Sequence, residues 1–387
     1  MTAADHRKRI LQIGNWPPPV CGWAMSLVGL RHELEARGWA CQVMNINENR
    51  RVRSPHYIDV QSGWDYLWKV TRLVWRGYAV HVRVNGETKK GYLLALAALL
   101  LARIGRRAAL LTYAGGHQQT YFPAPRGSSR HLAFSLLFRV AEHIYCNSAA
   151  VKNVLLTTGI PEEKVEPIPH FSPYYVKFTA TPLPAEVEDF YLGHDGVFFS
   201  YVCFRKEFAL EFLAEAMRRF RLRSPKIGFV LVCPPTRELD QVRRFLAEQK
   251  LDDATCLLGS VPHDTFLTLL SRSLAYLRTP MTDGTCASVL ESLILRVPVL
   301  AADNGTRPAG VRLWQEGNLD SLLSLMAEAV QNQTAIVAEI PEISMEDNAK
   351  KLADSIEQVS LGKALVGDPH KVPSGELNSA GRVNTDA

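Results

Sequence analysis

Asp283 and Glu291 stand with seven residues between them, in the stretch from Leu277 to Gly310 that reads LRTPMTDGTCASVLESLILRVPVLAADNGTRPAG. Gly284 lets the backbone come close to a bound group. The amides of Thr285, Cys286 and Ala287 fall where a helix begins. The first N–H groups of a helix have no partner within it and sit at the positive end of its dipole, so this start is an anion site. The same letters also support a plainer arrangement. Ser288 and Glu291 match the S-x-x-E capping box, in which serine and glutamate satisfy the helix start between themselves. The two readings stand side by side on spacing alone.

The surrounding elements are those a ligand loop requires. The apolar run SLAYL ends at Arg278, a turn with Pro280, Asp283 and Gly284 follows, and a helix opens between Thr285 and Ser288. The strand PVLAA closes the unit and stops at Asp303, Asn304 and Gly305. Strand, loop, helix and strand make a βαβ unit, and open α/β sheets bind ligands at the carboxyl ends of their strands.

The same alternation is read along the rest of the chain. Arg9 to Ile13 is a strand that runs into GNWPPPVCGW and then a helix over Ala24 to Arg37. This loop is not G-x-G-x-x-G, so a dinucleotide fingerprint is not supported. Gly22 either lets the backbone approach a phosphate or serves a tight turn. Strands follow at Tyr78–Val84 and Ala108–Tyr113. The second runs into AGGHQQTYF, which puts His117 after a glycine pair at a strand's carboxyl end, a position suited to a site. Glu142–Asn147 is a strand, and Ser148 caps the helix after it. The proline-rich segment Pro167–Pro184 reads as a linker. Strands at Gly196–Val202, Ile227–Cys233 and Thr255–Leu258 build a second domain. Helices are expected over Leu319–Val330 and Met345–Val359, and the tail Gly362–Ala387 is expected to be disordered.

At 387 residues the chain is long enough for two domains, and 47% hydrophobic residues suffice for two cores. The net charge of +5 is a mild excess, gathered at HRKR, RRVR, RIGRR and RRFRLR. Solvated helix faces account for such clusters singly, and a basic surface also suits anionic lipid. Seven scattered cysteines without C-x2-C or Cys/His spacing indicate reduced thiols in a cytoplasmic protein and no metal site. The start MTAADHRKRI has no signal-peptide core. The longest apolar run, Tyr92 to Ala102, is too short to span a bilayer and reads as a buried crossover helix or an interfacial one. Trp64, Trp68 and Trp75 share one helical face, which is ordinarily a core face. The minority reading turns that face toward an acceptor or a membrane.

The order of these features resembles the family-4 glycosyltransferases. An acid, seven residues and Glu, then an apolar helix and a V-P-V strand, match that family's E-x7-E signature, with Asp283 as the first acid. GIPEEKVEPIPHF is similar to the segment closing the family's first domain. GSVPHDTFLTLLSRS is similar to the step whose backbone reads the nucleotide base, and PPVCG is similar to the PPxGG loop. The resemblance implies a GT-B fold: two Rossmann-like α/β domains, 1–172 and 173–344, facing each other across a cleft, with a helix at 345–361 returning to the first domain. It implies a retaining glycosyltransferase that moves a sugar from a nucleotide-diphosphate sugar to a glycan or lipid-linked acceptor in polysaccharide or glycolipid synthesis. No metal and no cofactor beyond the donor are expected, and no nucleic-acid partner. The protein is expected in the cytoplasm, peripheral to the inner face of an anionic membrane. By the same resemblance Asp283 orients the donor sugar, Glu291 holds the ribose, and Gly22, Thr285, Cys286 and Ala287 meet the diphosphate. His117, offset from the family's histidine, faces the reacting edge. The family's Arg/Lys pair that clamps the leaving diphosphate falls on Cys203 and Phe208 when aligned without gaps. Arg205 and Lys206 stand nearby to supply the charge. That departure keeps a second reading open, a protein that binds a sugar nucleotide or partner without turnover. A sugar-nucleotide epimerase is a third.

Overall fold

The computed structural model describes residues 8–17, 22–86, 88–116, 122–123, 129–171, 176–234, 237–281, 286–343 and 346–366. In chain order the first half contains β1 (Arg9–Gly14), α1 (Gly22–Ala36), β2 (Ala40–Asn45), α2 (Gly63–Trp75), β3 (Ala79–Val84), α3 (Lys89–Ile104), β4 (Ala109–Tyr113), α4 (Ser129–Val140), β5 (His143–Cys146), α5 (Ala149–Thr157) and β6 (Val165–Pro167). The second half contains α6 (Ala185–Leu192), β7 (Gly196–Tyr201), α7 (Leu210–Arg221), β8 (Ile227–Val232), α8 (Arg237–Glu248), β9 (Thr255–Leu258), α9 (His263–Ser271), β10 (Ala275–Arg278), α10 (Ala287–Ile294), β11 (Val299–Ala302), β12 (Val311–Trp314), α11 (Leu319–Gln331), α12 (Gln333–Glu339) and α13 (Asn348–Val366).

The strands form two six-stranded sheets, in the orders β2-β1-β3-β4-β5-β6 and β12-β11-β10-β7-β8-β9. Each pairing within them is parallel. This follows from the sequence: strands such as AVHVRV, GVFFSY and IGFVLV are apolar almost throughout, as strands covered on both faces must be. Helices cover the first sheet on both sides. Side chains of α2, α3 and α4, such as Tyr66, Leu99 and Phe138, pack with Val82 and Leu111 on one face. On the other face, Leu30 and Leu34 of α1 pack with Ile10, Leu110 and Ile356 of α13. The second sheet is flanked in the same way, by α7 and α11 on one side and by α9 and α10 on the other. The molecule is thus a two-domain α/β protein with the GT-B fold.

The chain crosses between the sheets twice. After the linker, α13 returns from the second domain to lie against α1, tied by Arg37–Asp354 and Lys8–Glu357 ion pairs at 2.5 and 2.7 Å. Asn348, at its first turn, donates to the Phe171 carbonyl at 2.7 Å. This helix runs to Val366, five residues into the stretch expected to be a disordered tail. The sequence GKALV holds no proline, and the first helix-breaking dipeptide is Asp368-Pro369. Residues 367–387 lie outside the described residues.

The tryptophan face of α2 does not point into the core. Trp64, Trp68 and Trp75 are 83, 58 and 62% exposed. The opposite face carries Tyr66, Val70, Leu73 and Val74, and these fill the core instead. Ser62 caps the helix by accepting from the Asp65 amide, which fixes its start and therefore its rotation.

Candidate active site

The starts of α1 and α10 meet across the gap between the domains. A Cβ built on Gly22 would lie 3.1 Å from Cβ of Ala287. Each helix follows the carboxyl end of a parallel strand, β1 in one domain and β10 in the other, so both positive dipole ends face one space. Cys286 is the N-cap of α10 and makes no side-chain capping bond. The first amides of that helix are therefore not satisfied by a cap of its own, as an anion-binding start requires.

One turn into α10, Glu291 is 3% exposed, and its Oε1 lies 2.9 Å from Nε2 of His263, the first residue of α9. Ser288 does not cap the helix. The helix begins at Ala287, which places Ser288 inside the first turn, and its hydroxyl lies 2.7 Å from the Tyr276 hydroxyl. The capping-box reading is therefore overturned. A buried carboxylate held by a ring nitrogen at a cleft edge is an acceptor for hydroxyl groups.

Three cations stand around the turn that follows β7. Arg205 precedes a short 3-10 turn, Lys206–Phe208, and its Nε donates to Glu238 Oε1 of α8 at 2.7 Å. Lys206 is exposed. Cys203 is buried, and burial pushes its thiol pKa far up, so it is a neutral group there. Arg278, the last residue of β10, is 8% exposed, and its guanidinium carbon lies 5.3 Å from the centre of the Phe208 ring. Its charge also acts on the Cys203 thiol. An arginine from a neighbouring strand thus stands over one of the two uncharged side chains that fall in the family's Arg/Lys places, and its charge reaches the other. Thr279, next along, donates to the Phe208 carbonyl at 2.5 Å, and Arg307 donates to the Pro280 carbonyl at 2.5 Å. These bonds fix the strand end that leads into the ligand loop.

In the first domain a second buried arginine supports the α1 start. Arg83 of β3 is 2% exposed, donates to the Ser26 hydroxyl, and passes against Gly14 at the end of β1. His170 lies nearby, with neither ring nitrogen bonded among the described residues. Burial and the Arg83 charge push it down to about 3.

Of the residues singled out from sequence, Gly22, Cys286 and Ala287 meet between the domains and Glu291 follows one turn into α10, while Arg205 and Lys206 lie in the turn after β7. His117, Asp283 and Thr285 lie outside the described residues, as does Gly284. Sequence reasoning passed over His263, Arg278 and Arg83. An arginine closing the buried run AYLR was a usable signal for Arg278, since a cation at the carboxyl end of a central parallel strand faces the ligand crevice. Among the described residues no three His, Cys, Asp or Glu side chains are grouped to hold a metal ion.

Comparison with known proteins agrees with this architecture. No family model matches the chain. A glycosyltransferase 1 domain-containing protein 1 from Xenopus tropicalis is 27% identical over 148 residues, which are 37% of this chain and 41% of that relative. The chain therefore spans about two fifths of the curated relative it matches. Among solved structures, Anabaena HepE in complex with UDP and glucose is similar, with a TM-score of 0.62 and 15% identity over 93% of this chain and 99% of that one. The α,α-trehalose 6-phosphate synthase of Burkholderia multivorans aligns with a TM-score of 0.66 and 12% identity over 93 and 100% of the two chains. A UDP-N-acetylglucosamine 2-epimerase, so described for Listeria monocytogenes, aligns with a TM-score of 0.60 and 16% identity over 91 and 96%. At these identities the solved structures speak for the fold, which is glycosyltransferase-like and of the GT-B kind.

Proposed function

We propose that this protein is a retaining glycosyltransferase that takes a sugar from a nucleotide-diphosphate sugar and passes it to a glycan or lipid-linked acceptor. The observation that carries the reading is the meeting of the α1 and α10 starts at Gly22 and Ala287, which turns two helix dipoles on one space between the domains. A diphosphate bridging a sugar and a nucleoside fits such a space, because its charge lies at its centre and hydroxyl groups lie on both sides.

In this reading the α10 amides at Cys286 and Ala287, with Thr285 before them, hold the diphosphate, and Gly22 admits it from the other side. Glu291 takes the ribose hydroxyls, oriented by His263. Asp283 takes hydroxyls of the donor sugar, and His117 faces the reacting edge. As the bond to the anomeric carbon breaks, negative charge grows on the departing phosphate. Partial charges of helix starts do not balance it, and a full cation does so in a water-poor cleft. Arg278 is the buried candidate, and Arg205 and Lys206 are the exposed ones. With protein cations in that role the transfer needs no divalent metal.

A second reading has one observation in its favour: Cys203 and Phe208, both uncharged, stand where the resemblance puts a cationic pair. Binding without turnover would follow if no other cation replaced it. The test uses the full chain with a panel of nucleotide sugars and acceptors, following free nucleoside diphosphate and product. Acceptor-dependent release supports transfer. Release without acceptor supports an epimerase, and binding without release supports the second reading.

A further inference from the structure

The outer surface of the first domain carries a feature that the cleft does not use. Trp64, Trp68 and Trp75 repeat at helical spacing on α2 and are all exposed. Leu93, Leu100 and Ile104 repeat in the same way on α3 and are 62, 39 and 68% exposed. The two helices lie side by side and run in the same direction. Tyr66 of α2 donates to the Leu94 carbonyl of α3 at 3.1 Å, and further along a Cβ on Gly105 would overlap Val74. Both pack on the same face of the sheet, so the six side chains form two parallel rows on its outer side.

Charge decides what covers these rows. Lys89 and Lys90 are exposed at one end of α3, and Arg103 and Arg106 at the other. Arg72 stacks over the Trp68 ring at 5.3 Å. Helix α3 contains no acid, and the one acid of α2, Asp65, is held by Lys69 at 2.8 Å. Glu142 stands 3.8 Å from Arg103 and offsets part of one end. A second copy of this face would bring cation against cation in either orientation, which opposes self-association. Tryptophans with aliphatic neighbours and a cationic rim suit the headgroup region of an anionic bilayer.

We propose that the α2–α3 surface docks the protein on an anionic lipid bilayer, with the tryptophans at headgroup depth and the lysines and arginines on lipid phosphates. Crossover helices run against their strands, so Trp64 and Leu93 lie at the end nearer the cleft. Docking therefore sets the cleft mouth beside the lipid surface. The proposal stands on this surface alone and holds whether or not the cleft transfers sugar.

The test is sedimentation of the full chain with vesicles of phosphatidylcholine, with and without phosphatidylglycerol, at low and high NaCl. Wild type should sediment with the anionic vesicles, and at least about tenfold less in high salt, where surface charges are screened. The Trp64→Ser/Trp68→Ser/Trp75→Ser variant should lose binding about tenfold or more at every salt concentration while melting like wild type, because these side chains are outside the core. Lys89→Glu/Lys90→Glu should lose mainly the salt-sensitive part. Tryptophan emission should shift to the blue with anionic vesicles in wild type and not in the triple variant. Wild type that binds no vesicle, or a triple variant that binds as wild type does, overturns the proposal. A wild-type dimer that the triple variant turns into monomer, without vesicle binding, assigns the face to self-association and also overturns it.

Discussion

Arg278 holds its guanidinium over the Phe208 ring, 5.3 Å from its centre, with a strand end on one side and a 3-10 turn on the other. Arg278 is 8% exposed, whereas the Arg205 side chain is 43% exposed and paired with Glu238 at 2.7 Å. The two arginines are therefore expected to behave differently.

Arg278→Ala should lower the rate of transfer by about 10²-fold or more, the scale of losing one donor aimed at developing charge. Arg278→Lys should fall between, since it keeps the charge and loses the planar stack. Arg205→Ala should cost far less, because its ion pair is partly exposed. Kinetics and melting measured together on the three variants check this. Equal losses for Arg205→Ala and Arg278→Ala would return the leaving-group role to the pair after β7.

Glu291→Gln and His263→Ala should both weaken nucleoside diphosphate binding, the first by about 10-fold or more, in line with a charged hydrogen bond of roughly 1.5–3 kcal/mol. His263→Ala should be milder, because the carboxylate remains and only its orientation is lost. Titration calorimetry with the diphosphate decides. Unchanged binding with a lowered melting temperature would make the pair a packing device.

Gly22→Val should hinder transfer with little change in melting, since a side chain there meets Ala287 from the other domain and holds the cleft apart. Ala287→Gly in the same chain should restore part of the rate by making room. Rescue by a residue of the opposite domain would be hard to explain unless the two helix starts approach each other in the working enzyme.

Stability should fall with acid. His170 is held near 3 in the folded protein, and burial likewise holds His81 well below its usual range. Unfolded histidines take up protons near 6.5. Between that pH and about 3 the unfolded chain therefore binds more protons than the folded one, and stability drops as pH falls through the window. The slope approaches about 1.4 kcal/mol per pH unit for each such histidine. Urea melts of wild type and His170→Asn across pH 7 to 4 should show a shallower decline in the variant.

Turnover, assayed after treatment with EDTA, is expected to persist. Loss that returns only with Mn²⁺ or Mg²⁺ would mean that a metal, and not Arg278, balances the leaving phosphate.

Much of this was legible in the sequence, for identifiable reasons. Parallel strands covered on both faces are nearly continuous apolar runs, so GVFFSY, IGFVLV and VLAA declare themselves, and the helices between them fix the class. The α10 start was legible as a helix opening after a strand and a glycine-containing turn, while spacing alone left its anion-site and capping-box readings both open. Other features depend on the fold. His263 meets Glu291 across 28 residues of sequence, and no local pattern encodes that meeting. Arg278 reads locally as the polar end of a strand, and only the position of Phe208 gives it a ring to rest on. The α2 tryptophans show the limit of periodicity. It groups residues on one face, and since the opposite face is also apolar, it does not say which of the two turns inward.

The return of α13 bears on how the molecule is made. Leu352, Ala353 and Ile356 complete an apolar layer with Ile10, Leu30, Leu34 and Ile168. The first domain leaves the ribosome before the second and is nonetheless completed after it. Until α13 emerges, one side of its sheet lacks part of its cover, while the second domain has already been made. A fragment ending at the linker would carry that uncovered face permanently. The first domain is thus continuous in space but not in sequence, and a separately expressed version needs α13 supplied to it.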